Sequence, residues 1–125
     1  MTDRQLVITA ALILMIGVGA GAFGAHGLKR VISPDLLAVW QTAVLYQLVH
    51  GLGLLAIAAL GTKFASPLLS HAGTLMLAGI VVFSGSLYVM ALTGAKWLGA
   101  VTPLGGLAFI AAWAMVALAA YKTAQ

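Results

Sequence analysis

Ser84, Ser86 and His50 are the residues of this chain suited to nucleophilic chemistry, a hydroxyl working beside an imidazole base. Such a pair also needs a third group to orient the base. The chain has two acidic residues, Asp3 and Asp35, and neither lies within a long apolar run. Intramembrane hydrolysis is therefore not expected, and the chain reads as a non-enzyme. His26, His50 and His71 raise the question of a metal site. There is no cysteine, and no buried carboxylate stands ready to complete a coordination shell. Neither a metal nor a cofactor is expected.

Recognition of polar groups is the third chemistry on offer. Thr42, Tyr46 and His50 recur at i, i+4 and i+8, which lines them along one helix face, with Gln47 beside them and Gln41 next to Thr42. Ser84, Ser86 and Tyr88 form a second cluster, and His26 and Thr102 stand apart. Around these residues 63% of the chain is hydrophobic and 6% is charged. A water-soluble protein of 125 residues keeps a large share of its surface wet and cannot hide that much apolar side chain. The solvent is lipid. An amide or imidazole is costly to expose there, so the polar face of the second helix is expected to point into a bundle.

The elements that position these residues follow from length and punctuation. A helix rising about 1.5 Å per residue needs about 20 residues to cross a hydrocarbon slab about 30 Å thick. Four such spans with short connectors fill the chain. Its three prolines each follow a hydroxyl residue: Ser33-Pro34, Ser66-Pro67 and Thr102-Pro103. A hydroxyl at the N-cap accepts from an orphan N–H, and proline at the first helical position loses no bond. The spacing predicts an all-α membrane protein, a four-transmembrane-helix bundle running up-down-up-down. Its spans lie near 4–25, 34–60, 67–92 and 102–121, in a single integral domain over 1–125. Both termini then lie on one side. Gly61 and Gly94 sit just past two helix ends. Ala20-Gly21-Ala22 is like a signal-peptidase site, but the apolar run continues past it, so an uncleaved span is expected. Gly17 and Gly21 make a GxxxG step, extended by Gly24, and Gly105-Gly106 opens the fourth helix; these glycines are expected to be packing residues.

Helices 1 and 3 end on the side where helices 2 and 4 begin, so depths can be compared. His26, Gln41, Thr42, Ser84, Ser86, Tyr88 and Thr102 fall in one half of the membrane, and Tyr46, Gln47 and His50 lie at its floor. His71 begins helix 3 on the opposite side from His26, which keeps the three histidines apart. Two readings follow. These ten residues form a polar pocket, opening towards connectors 26–33 and 93–101, for water, a lipid headgroup or a small polar ligand. Or they hydrogen-bond between helices and stiffen the bundle, at ~0.6 kcal/mol each.

The net charge is +4. Arg4, Lys29, Arg30, Lys63, Lys96 and Lys122 stand one or two at a time outside the spans or at their ends. A nucleic-acid binder gathers its charge on one face, so nucleic acid is excluded and these bases read as interfacial anchors. They divide equally between the two sides, and the free amino terminus tips the termini towards the cytoplasm. A proton-coupled exporter needs an embedded carboxylate, and none is present.

One further pattern runs through the chain. Gly21-Ala22-Phe23-Gly24-Ala25-His26-Gly27-Leu28 is followed by Trp40-Gln41-Thr42-Ala43, Tyr46-Gln47 and His50. Then come Phe83-Ser84-Gly85-Ser86-Leu87-Tyr88, Thr102-Pro103-Leu104-Gly105-Gly106 and Trp113. In this order the motifs resemble the domain-of-unknown-function 423 family, small four-span bacterial inner-membrane proteins of the YgdD/YwdK type related to transmembrane protein 256 of animals. The resemblance implies an integral plasma-membrane protein of four helices and supplies no reaction. Two functions are expected from the whole. The first is a non-enzymatic accessory, assembly or envelope-homeostasis component. The second is a small oligomeric transporter or channel for a polar solute or lipid. Homo-oligomers are expected, because thin helices rich in small residues bury little alone.

Overall fold

Side-chain oxygens start three of the four long helices in the computed structural model, which describes residues 1–123. The helices are α1 (Asp3–His26), α2 (Pro34–Leu60), α3 (Pro67–Thr93) and α4 (Thr102–Lys122). Ser33 Oγ accepts from the Leu36 N–H at 3.2 Å and Ser66 Oγ from the Leu68 N–H at 3.2 Å, each with proline as the first helical residue. Thr2 caps α1 in a reciprocal box with Gln5, a start the hydroxyl-proline pattern does not reveal.

Thr102 corrects that pattern. It is the first residue of α4, not its cap. A 3-10 turn at Lys96–Ala100 runs into the helix through Val101, which is already right-handed (φ −83°), so no extended cap residue exists. A second 3-10 turn, Leu28–Arg30, fills the first connector. Gly94 ends α3 in the left-handed region (φ +73°), where a Cβ would be strained.

Consecutive helices pack as antiparallel neighbours: α1 on α2, α2 on α3, α3 on α4. Half of the most apolar window of α2 is buried, against 17% of that of α1 and 22% of that of α4. The second and third helices, the latter 39% buried over its window, are therefore the centre, and the first and last flank the bundle. All four are long and apolar enough to cross a membrane. Leu6, Leu54, Ile57, Met76 and Phe109 fill the core. At the terminal end the Met1 ammonium donates to Ser70 Oγ at 3.1 Å, tying the start of α1 to α3.

Gly17, Gly21 and Gly24 of α1 face α2 within the chain. A Cβ at Gly17 would sit 2.7 Å from Leu48 Cδ2, one at Gly24 2.7 Å from Trp40 Cδ1, and one at Gly21 3.3 Å from Val44 Cγ1. The pair on α4 divides. A Cβ at Gly105 would fall 2.8 Å from Phe83 Cα, whereas one at Gly106 would meet only the Phe83 ring, at 3.9 Å. Close approach of α3 and α4 thus rests on Gly105.

Candidate functional site

Gln47 lies at the centre of the polar residues. Its Nε2 donates to the Ile13 carbonyl at 2.9 Å, and its Oε1 accepts from the Tyr88 hydroxyl. One buried amide therefore joins α1, α2 and α3. Trp40, two turns earlier on the same face of α2, donates its indole N–H to the Ala20 carbonyl at 2.9 Å. Its ring meets Tyr88 edge-on at 4.6 Å and Phe23 at 5.9 Å, so Tyr88, the donor to Gln47, is itself packed against Trp40.

His50 is engaged at both ring nitrogens. Nδ1 lies 2.9 Å from the Tyr46 carbonyl, and Nε2 lies 3.1 Å from the Trp113 indole nitrogen. A carbonyl only accepts and an indole N–H only donates, so these partners assign the proton to Nδ1 and the lone pair to Nε2. That neutral ring has no lone pair left for a metal or for a base. It stacks on Phe109 at 3.6 Å, 11° from parallel, and binds α2 to α4.

The serines follow suit. Ser84 donates to the Ala43 carbonyl at 2.8 Å, joining α3 to α2. The hydroxyls of Ser86 and Thr102 lie 2.6 Å apart, joining α3 to α4, with Phe83 and Leu98 carbonyls as further acceptors. Neither serine hydrogen-bonds His50. Among the described residues, no buried side-chain nitrogen or oxygen lacks a partner, and no cluster of three His, Cys, Asp or Glu could hold a metal.

The ten residues do not converge on one pocket. His26, Gln41 and Thr42 are exposed, and Tyr46 is 38% exposed. Thr42 bonds back to the Ala38 carbonyl of its own helix at 3.0 Å. The reason is geometric. At 3.6 residues per turn, each step of four rotates about 40°, so the Thr42–Tyr46–His50 line walks from the lipid face to the interior. A groove of about 250 Å³ lies on the outer side, lined by Leu45, Tyr46 and Val49. Reasoning from spacing missed both indole donors. Trp40 was legible from its two-turn spacing to Gln47; nothing adjacent to Trp113 in the sequence points to His50.

Four lipid-length apolar helices, locked to one another by polar side chains in the interior, define a polytopic α-helical membrane protein. The chain belongs to the family described as "Protein of unknown function (DUF423)", whose profile matches residues 20–106. It is similar to a UPF0382 membrane protein of Staphylococcus haemolyticus, with 50% identity over 120 residues covering 95% of this chain and 97% of that one. The UPF0382 membrane protein YwdK of Bacillus subtilis is 49% identical over 120 residues, 95% of this chain and 98% of its own length. A UPF0382 membrane protein of Staphylococcus aureus is 50% identical over 122 residues, 97% and 98% of the two chains. No solved structure matches.

Proposed function

We propose that the chain is a non-enzymatic accessory component of the bacterial inner membrane, serving assembly or homeostasis of the envelope through contacts made in the plane of the bilayer. The observation that carries this reading is the use of the interior polar groups. Gln47, His50, Ser84, Ser86 and Tyr88 are each engaged in a bond to another helix. Such bonds stiffen a bundle and occupy the interior groups that would otherwise bind cargo or move a proton. The termini belong on the cytoplasmic side in this reading, where Arg4, Lys63 and Lys122 gather with the Met1 ammonium.

Purified protein reconstituted in liposomes tests it. Flux of ions, small polar solutes and labelled lipid is expected to match protein-free liposomes. Flux above that level, lost in Gln47→Leu or His50→Leu, would overturn the reading in favour of a transporter or channel. Reporter fusions at each terminus test the orientation, with cytoplasmic signal expected from both.

A further inference from the structure

The outer face of α2 is a surface that the bundle itself does not use. Ala38, Thr42, Leu45, Val49, Leu52 and Ala56 are exposed there, at alternating steps of four and three residues. Any lipid-facing helix shows a stripe of that kind, so the spacing alone points nowhere. Two polar side chains on its flanks do. Neither the Gln41 amide nor the Tyr46 hydroxyl has a hydrogen-bond partner among the described residues, whereas Thr42, Gln47 and His50 on the same helix are all bonded. Tyr46 lies near the middle of α2, at a depth where acyl chains offer neither donor nor acceptor. Each unsatisfied group is costly in that medium.

The positions of these two residues identify what would satisfy them. In a parallel helix pair packed on this stripe, Thr42 and Val49 take core position a and Leu45 and Leu52 take position d. Gln41 then occupies flank position g, and Tyr46 occupies flank position e of the next heptad. Those two positions face one another across a parallel dimer. Two copies of one chain inserted the same way are parallel and at equal depth, and a two-fold axis along the membrane normal makes the contact twice. An amide and a phenol hydroxyl can each donate and accept. The groove at Leu45, Tyr46 and Val49 provides the concave surface that a partner's seam side chain enters.

We propose that α2 pairs in parallel with α2 of a second copy along this seam, and that Gln41 of each copy hydrogen-bonds the partner's Tyr46. The inference goes beyond the accessory reading, and the two fail separately: liposome flux bears on one and association on the other.

The chain has no cysteine, so single cysteines report cleanly. Leu45→Cys and Val49→Cys (57% and 46% exposed) are oxidised in native membranes beside Leu12→Cys on α1 and Leu107→Cys on α4 (50% and 61% exposed). Disulfide-linked dimer is expected at least about tenfold more at the α2 sites. Equal yields at all four, or none on α2, would overturn the proposal. Affinity measured by energy transfer between labelled copies in bicelles tests the polar pair. Tyr46→Phe keeps the ring, whose centroid lies 4.4 Å from that of Phe83, and removes only the hydroxyl; Gln41→Leu removes the amide. Each is expected to weaken association by about 3- to 30-fold, and the double variant no further than the weaker-binding single one. Losses that multiply would mean the two groups bind different partners, such as lipid carbonyls, and would overturn the pairing, as would affinities unchanged within about twofold. Circular dichroism checks folding, and if Gln41→Leu misfolds, Tyr46→Phe decides the matter alone.

Discussion

Gly105 and Gly106 are neighbours in sequence, yet alanine at the two positions is expected to have opposite effects. A methyl at Gly105 would lie 2.7 Å from Phe83 Cβ and 2.8 Å from its Cα, where carbon contacts normally sit about 3.5–4.0 Å apart. Both of those atoms are fixed to the α3 backbone and cannot rotate away. Relief requires the two helices to part by roughly 1 Å, and a gap of that order forfeits a quarter to a half of each dispersion contact along the seam. The His50–Phe109 stack and the Ser86–Thr102 bond lie on or beside that seam. Overpacking costs about 1–3 kcal/mol or more, and exchanging glycine for alanine in a helix returns at most about 1 kcal/mol. At Gly106 the nearest atoms are those of the Phe83 ring at 3.9 Å, an ordinary contact, so only the helix-propensity gain applies. The propensity gain is common to both positions and cancels, so reversible unfolding in bicelles should separate Gly105→Ala from Gly106→Ala by the overpacking cost, about 1–3 kcal/mol or more. Equal stabilities would refute the close α3–α4 approach.

Other substitutions follow from the same geometry. Trp113→Phe keeps an aromatic ring but withdraws the donor from His50 Nε2, and unfolding should show a loss of about 1–2 kcal/mol. Ser84→Ala, which removes a buried bond to Ala43, should cost about 1 kcal/mol, while Thr42→Ala, whose hydroxyl bonds only its own helix, should change monomer stability by less than about 0.5 kcal/mol. Gly94→Ala forces a side chain into the left-handed region and should lower stability by about 1–2 kcal/mol, visible as a lower melting temperature in detergent.

The four helices were legible because apolar length and hydroxyl-proline punctuation both act locally. Ser33 and Ser66 cap as such residues do; Thr102 does not, because a 3-10 turn that sequence spacing does not announce runs into its helix. The polar residues were legible as a set but not as a site. Their depth follows from counting residues, whereas the direction each faces depends on how far the helix has turned. A line at steps of four drifts by about 40° each time. Thr42 therefore reaches lipid while His50 reaches the core. Trp113 was hidden for a different reason: its bond to His50 joins residues 63 apart in sequence, and no local signal foretells it.

The central claim is that the intramembrane polar groups hold helices together, and Gln47 with Tyr88 tests it most directly. Stabilities of Gln47→Leu, Tyr88→Phe and the double variant, measured by reversible unfolding in bicelles, give the energy of their coupling. A coupling of about 0.6–1.7 kcal/mol is expected. Effects that add to within about 0.3 kcal/mol would contradict the account.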